Sequence, residues 1–240
     1  MGLPVFGFVT RHHAPLADGV ACEAAWLAAC AASGRASAHL WQGAPGLVVP
    51  RSYTQQPGWD AAARAFAVQV RASGGGLVPQ GPGVWNLSLA WPAADAVPTG
   101  TDAIYRALCD ELAAAFARVG VAAAAQPVEG SFCDGRFNLA HGGRKFVGTA
   151  QSWRRVAGRP VVLAHAVIVV SADPAALTAQ ANAFEAALGS ARRYRADALT
   201  SVALAAPAPD VEARTLTALA ERFARVVPPH VHEEVSDGVA

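Results

Sequence analysis

Apolar side chains recur along this chain in two periods, and each change of period marks an element. Helical spacing runs from Ala21 to Ala32; the turn residues Gly43-Ala44-Pro45-Gly46 then hand the chain to a short apolar strand, Leu47 to Val49. Apolar and polar positions alternate from Phe66 to Arg71 and from Val84 to Ala90, with the Gly/Pro-rich stretch Ser73 to Gly83 between them, which predicts strand, glycine loop, strand. Thr101 or Asp102 can cap a helix whose residues Ile104, Leu108, Leu112, Phe116 and Val119 share one face, with Gly120 placed to end it. Phe137 to Leu139, Lys145 to Thr149 and Val161 to Val170 read as strands, the first two joined by the turn His141-Gly142-Gly143. Asp173 and Pro174 predict the cap and first turn of a helix carrying Leu177, Ala181, Phe184 and Leu188, closed by Gly189. A last helix from Asp210 to Val227 presents Leu216, Leu219, Phe223 and Val226 on one face.

These elements predict an α+β chain, a mixed β-sheet packed with helices in a single main domain. A length of 240 residues fits one large domain with a short appendage. Ala205 to Pro209 is the one linker-like segment, so residues 1–204 read as the main domain and 205–240 as a C-terminal helical appendage and tail. Apolar residues make up 53% and charged residues 15%, which excludes a disordered or fibrous chain. There are 57 alanines, however, so the apolar fraction overstates the area available for burial. A net charge of +1 gives no general attraction to nucleic acid or an anionic membrane, and neither is expected as a partner. The longest strand-like apolar stretch, Val161 to Val170, is too short to span a bilayer and contains His165. No secretory signal is visible, and Cys22, Cys30, Cys109 and Cys133, with separations of 8, 79 and 24, fit neither a metal knuckle nor a disulfide framework. Reduced thiols in the cytoplasm are expected.

Four features are candidates for chemistry. Ser73-Gly74-Gly75-Gly76 lets backbone approach a ligand closely, or makes a tight bend; it is neither a dinucleotide fingerprint nor a phosphate-binding Gly-Lys-Ser/Thr loop. Lys145 is the only lysine beside 18 arginines, so it is either a chance survivor or a compact ammonium kept to meet one carbonyl or phosphate oxygen. Cys133 lies in the glycine-flanked segment Gly130-Ser131-Phe132-Cys133-Asp134-Gly135, as an accessible nucleophile or an idle surface thiol, whereas Cys22, Cys30 and Cys109 read as small core residues. Arg144, Arg154, Arg155 and Arg159 form either a basic rim or a solvated hairpin end. His165 alone reads as a hydrogen-bonded core histidine, and His12-His13 and His230-x-His232 lack the acids or thiols of a metal cluster, so no metal is expected.

Taken together, Val70-Arg71-Ala72-Ser73-Gly74-Gly75-Gly76-Leu77-Val78, Asn86-Leu87-Ser88-Leu89 and Gly143-Arg144-Lys145-Phe146-Val147-Gly148-Thr149-Ala150-Gln151 resemble the lipoate/biotin protein ligase and octanoyltransferase superfamily over about residues 20 to 200. Thr200-Ser201-Val202 is a weaker element of the same pattern. Ser131 to Leu139 is most similar to the cysteine segment of the relay octanoyl amidotransferases, with Asp134 where that segment has proline and Asn138 where it has aspartate. The resemblance implies a biotin/lipoate ligase-like catalytic domain and octanoyl or lipoyl transfer through a Cys133 thioester, with Lys145 holding the acyl carbonyl. It further implies Arg71, Ser73, Gly74, Gly75, Gly76, Leu77, Asn86, Gly148, Thr149, Ala150 and His165 as substrate-binding residues, the glycines lining an acyl tunnel. The implied partners are an octanoyl- or lipoyl-carrying donor protein and lipoyl carrier domains of glycine cleavage or 2-oxoacid dehydrogenase complexes, with no cofactor. The alternatives are an ATP- and Mg-dependent lipoate ligase, whose usual His-Asp pair is replaced here by Gln80-Gly81, and a non-catalytic acyl or carrier-domain binding module.

Overall fold

A computed structural model describes residues 3–4, 6–93, 101–224 and 233–234. In chain order the elements are β1 (Thr10–His12), α1 (Gly19–Ser33), β2 (Ser37–Gln42), β3 (Gly46–Pro50), α2 (Trp59–Ala65), β4 (Val68–Arg71), β5 (Val78–Gln80) and β6 (Val84–Pro92). There follow α3 (Thr101–Ala117), β7 (Ala124–Ala125), β8 (Leu139–His141), β9 (Arg144–Val156), β10 (Arg159–Val169), α4 (Pro174–Ala187), α5 (Val202–Ala205), α6 (Val211–Phe223) and β11 (Glu233–Glu234). Single 3-10 turns occupy Arg51–Gln55 and Ala196–Ala198. Eight strands form one mixed sheet in the order β11-β1-β2-β6-β10-β9-β8-β7, and three form a second, β4-β3-β5.

The architecture is α+β, as expected, with mixed sheets packed by helices. Five local expectations change. The helix does not pass directly to the strand at 47–49: β2 intervenes, and its alternation is hidden because residues 38–41 are all buried. The strand expected at Phe137 to Leu139 begins two residues later, and Phe66 is the C-cap of the short helix α2 rather than the first residue of a strand. β9 runs on from Thr149 to Val156, where it turns through Ala157 and Gly158, both at positive φ, into β10. Cys22 is half-exposed rather than a core residue, and the next residue, Glu23, is the one turned inward. Val226, His230 and His232 lie outside the described residues.

The central sheet separates two environments. On one face Leu40, Leu87, Leu89, Ala164, Ala166 and Ile168 meet Leu108, Leu112 and Phe116 of α3 and Leu216, Leu219 and Phe223 of α6 in the main core. Helix α6 therefore shares that core, and Arg222 Nε, 2.6 Å from Glu111, ties it to α3. The opposite face is set by period-2 alternation and register: His39 and Trp41 on β2 pair with Ser88 and Asn86 on β6, which pair with His165 and Val167 on β10, opposite Ala150 and Gly148 on β9. This half-polar face is roofed by α1 and by the small sheet with α2 and α4. Among the described residues no helix is long and apolar enough to cross a membrane.

The small sheet is held by a second core around Phe184, whose ring lies 5.4 Å edge-on to Phe66 and 6.3 Å from Tyr53. Beside it Glu185, fully buried, accepts 2.7 Å hydrogen bonds from the hydroxyls of Tyr53 and Tyr194. Phe184→Ala is expected to cost about 3–5 kcal/mol. A urea midpoint that falls at unchanged slope checks this.

Candidate active site

A cavity opens between the half-polar face of the sheet, α1, and the loops before β5 and β8. Its walls include Glu23, Trp41, Val48, Arg71, Gln80, Asn86, Phe132, Cys133, Lys145, Gly148, Thr149, Ala150, His165, Val167 and Val169. Valine and aromatic side chains line much of it, and the loop before β8 contributes Phe132 and Cys133 at one end.

Lys145 enters that end from the start of β9 and is only 3% exposed. Its Nζ donates to the carbonyls of Phe132 (2.6 Å) and Cys133 (2.7 Å), which uses two of the three donors of an ammonium. Gly148 makes the room: a Cβ there would lie 3.3 Å from Nζ. The backbone of Lys145 is fixed by Thr200, whose N–H donates to its carbonyl at 2.8 Å, so the Thr200-Ser201-Val202 element runs alongside the lysine. Burial pulls the Lys145 pKa down to about 8 despite the opposing influence of Cys133 and Asp134.

Cys133 has a φ of 59°, a left-handed conformation uncommon for a residue with a side chain. That turn directs its carbonyl inward, where Asn138 Nδ2 (2.9 Å) and Lys145 both donate to it. Asn138 can make this bond because it is an amide; a carboxylate in its place has no N–H to give. The thiol lies against the glycine loop. A Cβ built on Gly75 would stand 3.0 Å from Cys133 Sγ and 2.9 Å from Arg71 Nη2, so sulfur and guanidinium are separated by no more than the sum of those distances. Gly76 abuts the Cys133 backbone at 3.4 Å. Arg71, buried, is held by the carbonyls of Gly76 (2.6 Å), Gly74 (3.1 Å) and Val48 (3.3 Å).

Eight expected residues therefore converge on one cavity: Arg71, Asn86, Cys133, Lys145, Gly148, Thr149, Ala150 and His165. The glycine loop is placed differently. Gly75 and Gly76 pack on Cys133, Gly74 has nothing within 4 Å of a would-be Cβ, Ser73 is buried, and Leu77 lies wholly in the second core. Asn86 shares a reciprocal amide pair with Gln80 (2.9 and 3.2 Å), and Thr149 donates to the Phe137 carbonyl at 2.6 Å. Of the arginines, Arg159 donates to the terminal carbonyls of α1, Ala31 (2.8 Å) and Ala32 (3.1 Å).

Sequence reasoning missed Glu23, 7% exposed, whose Oε1 accepts from Ser88 Oγ (2.7 Å) and pairs with His165 Nδ1 (2.8 Å). Burial opposes its charge, but His165, the Ser88 hydroxyl and Arg71 together hold its pKa below the usual carboxylate value. Its signal was available: Glu23 is the only acid between Asp18 and Asp60. Farther along the same face Trp26 stacks on His39 at 3.8 Å, and burial with the neighbouring His12 pulls His39 down to about 3.

The family described as lipoyl protein ligase A/B catalytic domain matches residues 20–212. An uncharacterized protein of Cupriavidus necator is 44% identical over 220 residues, 82% of this chain and 85% of that one. Octanoyl-[GcvH]:protein N-octanoyltransferase of Kyrpidia tusciae is 38% identical over 199 residues, 78% and 68% of the two chains. Lipoate-protein ligase A bound with ATP superposes with a TM-score of 0.68 at 14% identity over 99% of this chain and 90% of that one. The bi-partite lipoate protein ligase of Thermoplasma acidophilum does so with a TM-score of 0.61, also at 14% identity, over 98% and 89%. At such identity the two structures share the fold.

Because the folded Lys145 gives up its proton near pH 8 and the unfolded one near 10.5, the unfolded chain binds more protons between those values and stability rises with pH across them. Wild type is expected to gain on Lys145→Met in this window, by about 3 kcal/mol at the upper limit. Urea titrations of both proteins at pH 7.5, 9 and 10.5 read the difference; a constant gap contradicts it.

Proposed function

This chain belongs to the lipoyl protein ligase A/B catalytic-domain family, and we propose that it transfers an octanoyl group from the GcvH protein, through a thioester on Cys133, to a lysine of a lipoyl carrier domain. The observation that carries this reading is the seat of Cys133, its thiol beside the Arg71 guanidinium, its backbone fastened to Lys145, and an apolar cavity in front. The names of the relatives from Kyrpidia tusciae and Geobacillus kaustophilus support the donor and the transfer. Carriers of 2-oxoacid dehydrogenase complexes are the acceptors we propose, met in the cytoplasm.

Chemically, the nucleophile is the Cys133 sulfur, which gives up its proton as it attacks. Sulfur attacks the donor carbonyl, the third N–H of Lys145 donates to the oxygen as it gains negative charge, and the donor amine departs carrying a proton. The acceptor amine then attacks the thioester, losing a proton and releasing the thiolate. In a cavity shielded from water a single directed donor counts for more than on a surface. The acyl group arrives already joined to its donor, so this reading requires no ATP and no cofactor. A ligase acting through an adenylate instead requires ATP, Mg and free lipoate or octanoate.

Incubation with octanoyl-GcvH and no ATP is expected to add one octanoyl mass, sensitive to hydroxylamine, to wild type but not to Cys133→Ala. Cys22→Ala, Cys30→Ala and Cys109→Ala retain the adduct. Lys145→Arg is expected to lose at least about 10²-fold in transfer, since a planar fork does not fit the space above Gly148. Intact-mass spectrometry reads both. Transfer by Cys133→Ala that depends on ATP establishes the ligase reaction in place of this one.

A further inference from the structure

Two groups in the cavity have no part in the steps above: Glu23 on α1 and His165 at the middle of β10. We propose that they form a carboxylate–imidazole pair that carries the proton in each acyl-transfer step, His165 Nε2 as general base and acid and Glu23 as the positioning residue. The proposal rests on the thioester reading and adds the proton path that it lacks.

The geometry assigns the tautomer. Glu23 Oε1 lies 2.8 Å from His165 Nδ1, and a carboxylate can only accept, so Nδ1 bears hydrogen and Nε2 of the neutral ring is the acceptor. The ring belongs to the cavity wall that also holds Cys133 and Lys145. Glu23 is itself fixed, because Ser88 Oγ donates to the same oxygen at 2.7 Å while Trp41 Nε1 donates to Ser88 Oγ at 2.9 Å. A buried carboxylate is costly, and tying it to a cavity-lining imidazole and a tryptophan-braced serine goes beyond what packing α1 on the sheet requires.

The chemistry needs such a group. An acceptor lysine arrives as an ammonium and must lose a proton before nitrogen can attack, while an amide donor must gain one before its amine can leave. The titratable groups around the cavity are Glu23, Arg71, Cys133, Lys145 and His165. Arg71 does not titrate in the working range, Cys133 is acylated when the acceptor attacks, and Lys145, which titrates near pH 8 and adds its own inflection to the profile, has two of its N–H groups tied to carbonyls. Glu23 Oε1 is already engaged by Ser88 Oγ and His165 Nδ1. Protons balance through Nε2: in the first half-reaction the thiol proton passes to the departing nitrogen as the C–N bond breaks and C–S forms. In the second, the acceptor ammonium first gives one proton to solvent, and another passes from the attacking nitrogen to Sγ as C–S breaks and C–N forms.

The two half-reactions can be read separately. Cys133 is first acylated with an octanoyl thioester of N-acetylcysteamine, whose thiolate leaves without a proton, and the adduct is confirmed by intact mass. Transfer to apo-carrier protein is then followed in a single turnover from pH 5.5 to 9.5. His165→Ala is expected to slow this second step by about 10²- to 10⁴-fold and to lose the imidazole inflection from its pH profile. Added imidazole, which fits the space vacated by the ring, should restore part of the rate. Glu23→Gln is expected to slow the same step and Glu23→Asp to recover part of it, because an amide can itself donate to Nδ1 and no longer selects the tautomer that leaves Nε2 free to accept. A second step in His165→Ala with the wild-type rate and profile, or a slow step indifferent to imidazole with Glu23→Gln as fast as wild type, overturns the proposal. Absence of any adduct on wild-type Cys133 instead overturns the thioester reading on which it rests.

Discussion

Everything at this site follows from burying one ammonium. An amine taken out of water must find acceptors, and Lys145 finds two carbonyls, those of Phe132 and Cys133. Neither belongs to a sheet ladder. Both are turned inward because Cys133 adopts a left-handed backbone, a conformation that costs on the order of 1–3 kcal/mol outside glycine. The same turn sets the thiol against Gly75 and Gly76, so the sulfur and the cation are positioned by a single bend.

The sheet makes that bend affordable. Its α3/α6 face is an ordinary apolar core, closed by Phe116 and Phe146 and by the leucines of β2 and β6. With stability concentrated there, the other face can carry Ser88, Asn86 and His165 side by side at alternate positions of neighbouring strands. Each of these polar residues is tied: Asn86 to Gln80, Ser88 to Trp41 and Glu23, His165 to Glu23. Such a fully partnered set is rigid, whereas an orphaned member would be costly.

Much of this was legible in the sequence, and the residues show why. Long strands and capped helices announced themselves by period, and Asp173-Pro174 and Gly189 bracket α4 as expected. β2 escaped because both its faces are buried, and α2 because seven residues give too little period to read. At the site, the solitary lysine and the glycine-flanked cysteine stood out by composition. The glycine loop suggested closeness to a ligand, but only the folded chain shows that its near neighbour is Cys133. Glu23 stood out in the sequence only as a lone acid among apolar residues, since its partner His165 lies 142 positions away.

The glycines at 75 and 76 bear on attempts to re-engineer the acyl preference. A side chain at position 75 meets sulfur and guanidinium within 3.0 Å, on a backbone whose φ of 106° already resists it. Loop diversification therefore displaces the Cys133 thiol and the Arg71 guanidinium before it reshapes the cavity. The variable wall is across the cavity, where Val48, Val78, Val167 and Val169 present methyl groups from three regular strands. Adding or removing methyls there changes how much hydrocarbon the site accommodates while the reacting end keeps its form, which makes those valines the natural library positions.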